Sequence, residues 1–158
     1  LLDTLNQGIA LKRKVVADLR PPLLSELGLV EALRALPDSG DIGEHGGRLE
    51  IDLPDALPDV PAQTALALYR IAQEALTNAR RYAQARSVRL HLAVEGDELV
   101  LAVEDDGVGF DPAAREHNRH GLAGMAHRMQ MLAGRLDIDS APGKGTRITA
   151  RVPFARMH

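Results

Sequence analysis

Residues 99–111 read LVLAVEDDGVGFD, and this stretch decides the fold that the sequence predicts. Every second residue from Leu99 lies on one face of a strand, and that face stays apolar until Asp105. Burying a carboxylate at the end of a row of apolar side chains is unfavourable unless a hydrogen-bond donor pairs with it. The exocyclic amine of a purine is one donor that could do so. Gly107 and Gly109 then let the backbone turn and approach a ligand closely. The alternative is a strand end followed by an ordinary Asp-Gly turn.

The elements around this strand alternate between strand and helix patterns. Alternating polar and apolar residues predict a strand over residues 48–53, and further strands are predicted over residues 86–94, 98–105, 135–140 and 145–153. Apolar stripes at spacings of three and four predict helices over residues 1–20, in a short stretch capped by Ser25, and over residues 61–83 and 121–133. The fold class is therefore α+β, a two-layer α/β sandwich whose mixed, mostly antiparallel sheet carries helices on one face.

Composition excludes several classes of protein. The chain has 158 residues, a net charge of −3, no cysteine and 3% aromatic residues. These values argue against a disulfide scaffold, a thiolate metal site, a generic basic nucleic-acid surface and a platform for base stacking. No apolar run is long enough to span a membrane. Because the chain begins with Leu1, we interpret it as a piece of a longer protein, divided by a loop into residues 1–36 and 37–158.

The predicted long helix carries a polar face. Glu74 and Asn78 are four residues apart and share that face, which Arg81 and Tyr82 extend by one turn. A carboxylate and an amide on one face can hold a hydrated cation and orient a water, and a basic residue one turn further on can meet a phosphate. The alternative is a solvated helix face with an ordinary mixture of polar groups.

A third group of residues surrounds the last predicted helix. Gly121 and Gly124 open that helix, and the free N–H groups of its first turn can bind an anion. Residues 143–146, GKGT, form a tight turn that ends in the hydroxyl of Thr146, although the spacing of a P-loop is absent. The alternative is a plain helix start and a β-turn. The apolar residues of the helix are expected in the core: Met125, Met129, Met131 and Leu132.

Four motifs in this order resemble those of a known family. QEALTNARRYA (residues 73–83) resembles an N box, and DDGVGF (105–110) a first glycine box. HGLAGM (120–125), together with GKGT, resembles a second glycine box. The chain thus resembles the ATP-binding catalytic domain of bacterial sensor histidine kinases, the GHKL or Bergerat fold. The lead-in DLRPPLLSELGLVEAL (18–33) resembles the nitrate-sensor and DesK-like branch, in which it ends the dimerisation helices.

The resemblance implies roles at the adenine end of an ATP site. Asp105 would hydrogen-bond the adenine amino group, directly and through water. Gly107 and Gly109 would line the adenine pocket, and Thr146 would lie near it.

The resemblance also implies roles at the phosphate end. Asn78 would coordinate a Mg²⁺ ion that bridges the ATP phosphates, and Glu74 would be the catalytic residue that polarises water or the incoming group. Residues 110–120 would form the ATP lid. Where the family has Lys-His, this chain has Arg81-Tyr82, which keeps the positive charge but lacks an imidazole that can touch phosphate. The residues expected to close the lid over the phosphates are Gly121, Leu122 and Gly124.

The activity implied is that of a protein histidine kinase, with ATP and Mg²⁺ as cofactors. Its partners would be the phosphoacceptor helices of the same kinase, a homodimer at full length, and a LuxR/NarL-type response regulator, with no direct contact to nucleic acid. The location expected is cytoplasmic, with any anchor in the inner membrane lying in the rest of the parent protein. Every histidine follows the DLRP segment, so we expect this piece alone not to phosphorylate itself.

Two other functions were weighed beside the kinase. One is a nucleotide-gated interaction module that controls a phosphatase and has little kinase activity. The other, an ATP-hydrolysing clamp of the gyrase or MutL type, is disfavoured because the DLRP lead-in fits a kinase and the chain is too short to add a transducer domain.

Overall fold

A long helix lies across one face of a sheet, and the core fills the space between them. The computed structural model describes residues 22–36, 48–81, 85–111 and 121–154. The helices are α1 (Pro22–Leu27), α2 (Leu29–Ala35), α3 (Ala62–Arg81) and α4 (Leu122–Met131). The strands are β1 (Arg48–Asp52), β2 (Ser87–Glu95), β3 (Glu98–Asp105), β4 (Arg135–Ser140) and β5 (Thr146–Pro153). The helix predicted over residues 1–20 lies outside the described residues.

The strands of the described part form one sheet of five, in the order β1-β2-β3-β5-β4. β1 runs parallel to β2, and the other neighbouring pairs are antiparallel. The prediction of a mixed, mostly antiparallel sheet is confirmed, and each predicted strand lies within one residue of its observed bounds.

Alternate residues of the three central strands build the core against α3 and α4, because successive side chains of a strand point to opposite faces. The strand residues buried in this core are Val88, Leu90, Leu92, Leu99, Leu101, Val103, Ile148, Ala150 and Val152. The apolar stripe of α3 meets them with Leu68, Ile71, Ala72, Ala75, Leu76 and Ala79. This packing fixes the polar face of α3 relative to the ends of the strands.

Helices α1 and α2 pack against the same core. Pro22 occupies the first position of α1, where its missing N–H costs nothing. The prediction that Ser25 caps a helix is wrong, because Ser25 lies inside α1 and α2 begins after Gly28, which has a φ of 89° and makes no side-chain cap. The division of the chain at residue 37 stays a prediction. Among the described helices, none combines the length and the apolar character that a membrane crossing requires.

Helix α4 ends earlier than its apolar pattern predicts. The Gly134 N–H donates to the Met129 carbonyl at 2.7 Å and the Ala133 N–H to the Gln130 carbonyl at 3.1 Å, which is the Schellman arrangement. Ala133 therefore adopts a left-handed conformation with a φ of 60°. Met131 is 74% exposed, so its prediction as a core residue is wrong, whereas Met125 and Met129 are buried as expected. Leu132 is partly buried against the core.

The face of the sheet opposite the helices carries a row of charges. The strand registers place five residues of alternating sign side by side, and we call them the outer charge row: Glu50, Arg89, Glu104, Arg147 and Asp139. Ion pairs join Arg89 Nε to Glu50 Oε2 at 3.4 Å and Arg147 Nη1 to Glu104 Oε1 at 3.9 Å.

Candidate functional site

Three polar side chains lie side by side at the sheet edge where β3 and β4 end and β5 begins. The register places Asp105 opposite Thr146, and Thr146 opposite Ser140. Directly opposite residues point to the same face, and alternation with the buried Val103 makes this the face covered by helices. We call these three residues the polar row. Thr146 is only 9% exposed, so the row is a built feature of the interior edge rather than a solvated surface.

Asp105 is half-buried, and its surroundings perturb it. Burial raises the pKa of its carboxyl group above the ordinary value, and the N–H groups of Gly107 and Thr146 oppose that effect by donating to the carboxylate. The neighbouring charge of Asp106 adds a small increase. The Gly107 N–H lies 2.9 Å from Asp105 Oδ1. A half-buried carboxylate that keeps acceptor capacity fits an amine donor of a ligand, as the sequence predicts for the adenine amino group.

Ser140 connects the polar row to the glycine-rich loop. Its Oγ accepts a hydrogen bond from the Phe110 N–H at 2.9 Å and donates to the Gly145 carbonyl at 3.0 Å. The same Oγ lies 2.8 Å from the Thr146 hydroxyl oxygen. The motifs in the sequence did not predict a role for Ser140. Its position opposite Thr146 in the β4–β5 hairpin is the signal that would have found it.

The loop after Asp105 is held against the turn between β4 and β5. The Gly143 N–H donates to the Val108 carbonyl at 2.6 Å. Gly109 has a φ of 66°, and a side chain at this position would collide with the Ala141 carbonyl oxygen. Only glycine allows so close an approach to the β4–β5 turn, and the predicted approach of this loop to a ligand stays a prediction.

Asp106, the second carboxylate of the motif, has a structural role. Its Oδ1 accepts hydrogen bonds from the N–H groups of Arg86 at 2.8 Å and Ser87 at 2.9 Å. Its own N–H donates to the Ser87 carbonyl at 3.2 Å. Asp106 therefore ties the end of β3 to the start of β2, and the sequence analysis assigned it no role.

The polar face of α3 meets the start of α4. A Cβ added to Gly121 would lie 2.9 Å from Glu74 Oε1, so the backbone of Gly121 rests directly on the Glu74 carboxylate. Gly121 precedes α4 with a φ of 86° and makes no side-chain cap. Among the described residues, Gly121 thus supplies no side-chain acceptor to the first-turn N–H groups of α4, and an anion suits that position.

The structure gives the positions of some of the remaining predicted site residues, and others lie outside the described part of the chain. Asn78 is partly buried one turn after Glu74 on α3. Arg81 is the last residue of α3 and Leu122 the first of α4. Gly124 lies within α4, with open space where a side chain would be. Tyr82 and most of the predicted lid, residues 112–120, lie outside the described residues.

The donor set at Glu74 and Asn78 fits a magnesium ion carried by phosphates. Within the described ranges, no group of three or more His, Asp or Glu side chains is arranged to hold a metal. Mg²⁺ is commonly bound by one or two protein oxygens together with water and substrate phosphates, rather than by a full protein cage. An amide and a carboxylate on one face of α3 match that pattern.

Comparisons with known proteins identify the family of the chain. A family model described as histidine kinase-, DNA gyrase B-, and HSP90-like ATPase matches residues 63–156. The chain is 31% identical over 156 residues to the signal transduction histidine-protein kinase/phosphatase DegS of Brevibacillus brevis, covering 98% of this chain and 40% of that protein. It is 38% identical over 151 residues to the sensor histidine kinase ComP of Bacillus subtilis, covering 90% of this chain and 19% of that protein.

A solved structure extends the comparison to the fold. The histidine kinase domain of the Erythrobacter litoralis EL346 blue-light activated histidine kinase superposes with a TM-score of 0.65 and 25% identity. The match covers 80% of this chain and 59% of that one. The chain spans less than half the length of the two curated relatives, at 40% and 19%.

Proposed function

Because the chain belongs to the histidine kinase-, DNA gyrase B- and HSP90-like ATPase family, we propose that it is the ATP-binding domain of a two-component sensor histidine kinase. In the longer protein it supplies the γ-phosphoryl group of ATP to a histidine outside this chain, from which a response-regulator aspartate receives it. The observation that carries the proposal is the half-buried Asp105, which retains acceptor capacity beside a loop packed too closely for a side chain at Gly109.

At the adenine end, the chain supplies shape and hydrogen-bond acceptors. Asp105 accepts a hydrogen bond from the adenine amino group, and Thr146 lies beside it in the polar row. Gly107 and Gly109 keep the adjoining loop thin enough for the base to approach. These groups are held in place before the ligand arrives, which lowers the entropic cost of binding.

At the phosphate end, the chain supplies charge and orientation. Asn78 is the protein ligand for Mg²⁺, which when bound neutralises phosphate charge. Glu74 is the catalytic residue that orients and polarises the incoming group. The open first turn of α4, from Gly121 through Leu122 to Gly124, receives phosphate oxygens, and Arg81 and Tyr82 complete the phosphate side. Catalysis of this kind is mostly positioning and charge stabilisation.

The test of the adenine end is calorimetric titration of the 158-residue chain with ADP and with a non-hydrolysable ATP analogue. The Asp105→Asn variant is expected to bind ADP about ten- to a hundredfold more weakly, because a hydrogen bond to a charged acceptor is lost. Glu104→Gln is the matched control, since it removes a neighbouring carboxylate that lies in the outer charge row on the other face. Equal ADP affinity in Asp105→Asn and wild type would overturn the adenine assignment.

The test of the phosphate end compares ADP affinity with Mg²⁺ and with EDTA. Asn78→Ala is expected to lose most of the affinity that Mg²⁺ adds while changing the affinity in EDTA by less than about threefold, because the side-chain amide is proposed to contact the nucleotide through the metal. Gln73→Ala, one residue before Glu74 on the partly exposed side of α3, is the control. A full Mg²⁺ enhancement in Asn78→Ala would remove this residue from the metal site.

The partners and location of the longer protein follow from the same proposal. The phosphoacceptor helices form a homodimer, and the receiving protein is a response regulator of the LuxR/NarL type. The domain works in the cytoplasm without touching nucleic acid, and any membrane anchor belongs to the rest of the parent. The support is that DegS and ComP are named as histidine kinases over alignments that include the lead-in segment.

A second candidate is a nucleotide-gated module that controls a phosphatase and has little kinase activity. Two observations favour it: the name of DegS includes phosphatase, and Tyr82 stands where the family usually has histidine. Incubation of the full-length protein with γ-labelled ATP separates the two. Label on a histidine supports the kinase, whereas ATP binding without label supports the module.

A further inference from the structure

The direction of one hydroxyl group is fixed by the contacts of Ser140. A carbonyl oxygen can only accept, so the contact with the Gly145 carbonyl uses the single Ser140 hydroxyl hydrogen. A backbone N–H can only donate, so Phe110 occupies one lone pair of Ser140 Oγ. The hydrogen of the 2.8 Å contact between the two side-chain hydroxyls must therefore come from Thr146.

This assignment leaves the Thr146 oxygen as an acceptor only. Its hydrogen points to Ser140, and its lone pairs remain for other partners. Asp105 beside it already accepts from the Gly107 N–H at 2.9 Å and, when ionised, has no hydrogen to give. The two residues next to each other in the polar row therefore offer acceptors and no side-chain donor.

We propose that Ser140 is a specificity-determining positioning residue, which holds the Thr146 hydroxyl as an acceptor so that the polar row selects a 6-amino purine over a 6-keto purine. An amino group donates to such a row, whereas a keto oxygen places its lone pairs against those of Thr146 and Asp105. A row of oriented acceptors that faces position 6 of the purine rejects a base with an acceptor at that position, because the buried acceptors of the row then remain unpaired there. This inference rests on the proposed ATP site, and it names the residue that makes the site prefer adenine to a 6-keto purine.

The experiment measures the dissociation constants of ADP and inosine diphosphate (IDP) for the 158-residue chain, by competition against a fluorescent ADP analogue. IDP carries a keto group where ADP carries an amino group. Wild type is expected to prefer ADP by about a hundredfold, and Ser140→Ala to lower that preference to about tenfold or less, because the freed Thr146 hydroxyl can rotate and donate. Ser140→Thr keeps a hydroxyl and is expected to keep the wild-type preference.

Two controls separate base choice from general damage. Ser87→Ala removes another strand-end hydroxyl, at a residue whose N–H and carbonyl make the contacts with Asp106, and it is expected to leave the preference unchanged. Thr146→Val removes the oriented hydroxyl itself and is expected to lower the preference as Ser140→Ala does. The double variant Ser140→Ala/Thr146→Val is expected to match Thr146→Val alone, since Ser140 acts through Thr146.

The outcomes are distinct. Wild type that binds neither nucleotide would overturn the proposed function, whereas wild type that binds ADP and IDP equally would overturn only this inference. If Ser140→Ala weakens both nucleotides by the same factor, Ser140 is merely structural and the inference fails. If Ser140→Ala does not fold, Thr146→Val decides: an unchanged preference for ADP overturns the inference, and a lowered preference supports it.

Discussion

At the scale of single residues, the ionised Asp105 carboxylate favours the proposed binding of nucleotide but lowers the stability of the protein without ligand. Burial raises the pKa of the folded carboxyl group above its ordinary value of 3.8, so the folded protein holds this proton more tightly than the unfolded chain. The stability that goes with the protonated group is fully present below pH 3.8 and is lost as the pH rises through the folded pKa. A group that binds a ligand well therefore destabilises the empty protein near neutral pH.

The Asp105→Asn variant tests this conflict because it cannot ionise. Without nucleotide, the difference in free energy of unfolding between variant and wild type is expected to move in favour of the variant as the pH rises from 3.8. Denaturant unfolding at a series of pH values measures it, with Glu104→Gln as the control. If the difference in free energy of unfolding does not vary with pH, burial of Asp105 does not shift its pKa enough to affect stability.

Gly109 is a residue-scale test of how the loop is packed. Gly109→Ala is expected to destabilise the chain by more than about 2 kcal/mol, because a left-handed alanine costs roughly 1–2 kcal/mol and its Cβ also meets the Ala141 carbonyl. Gly143→Ala shares the positive φ, at 78°, but has open space around its Cβ, so only the conformational cost of about 1–2 kcal/mol is expected there. Thermal unfolding compares the two, and equal losses would mean that the close approach contributes nothing.

At the scale of elements, the end of α4 carries an alanine in a conformation that suits glycine. Ala133→Gly is expected to stabilise the chain by about 1 kcal/mol, because it relieves the left-handed φ of 60° in the Schellman turn. Ala126→Gly, inside the same helix, is expected to destabilise by about 0.5–1 kcal/mol. Denaturant unfolding measures the change in the free energy of unfolding of each variant, which is expected to be an increase for Ala133→Gly and a decrease for Ala126→Gly. Destabilisation by Ala133→Gly would refute the strain assigned to this turn.

The elements that the sequence predicts well are those whose pattern is local. β2 alternates over most of its length, β3 is a continuous apolar run bounded by Glu98 and Glu104, and the stripe of α3 repeats every three or four residues, so their bounds are predicted closely. The break at Gly28 is missed because it depends on one left-handed residue. Met131 is missed because its apolar residue type does not reveal that it lies on the exposed side of the last turn of α4.

The site follows the same physical rule. Asp105, Gly109 and Gly121 are recognisable from their motifs, and the structure brings Asp105 and Gly109 to one loop and Gly121 against Glu74. Ser140 could have been found from its position opposite Thr146 in the β4–β5 hairpin, whereas the partners of Asp106 were not predictable from local pattern, since Arg86 lies 20 residues away along the chain. The roles of all the predicted site residues, including Arg81, Tyr82 and Leu122, stay predictions.

At the scale of the whole molecule, the core joins the first described helices to the sheet. Leu33 on α2 is fully buried in the cluster that also contains the α3 stripe. Leu33→Ala is therefore expected to lower the free energy of unfolding by about 2–5 kcal/mol within a single cooperative transition. Leu23→Ala, at a position that is 42% exposed, is the control and is expected to cost far less. Two separate transitions in calorimetry would show instead that the lead-in unfolds on its own, as a domain boundary at residue 37 requires.

The outer charge row has a consequence for what the molecule presents at a distance. Its alternating charges lie on strands about 4.8 Å apart, which is less than the Debye length of about 8 Å at physiological ionic strength. The fields of opposite neighbours therefore cancel before they reach beyond the ionic atmosphere, although each ion pair is felt on contact. The row holds three acidic and two basic side chains, so beyond the ionic atmosphere it presents one unbalanced negative charge instead of five separate ones, and its contribution to the long-range steering of a charged ligand is small.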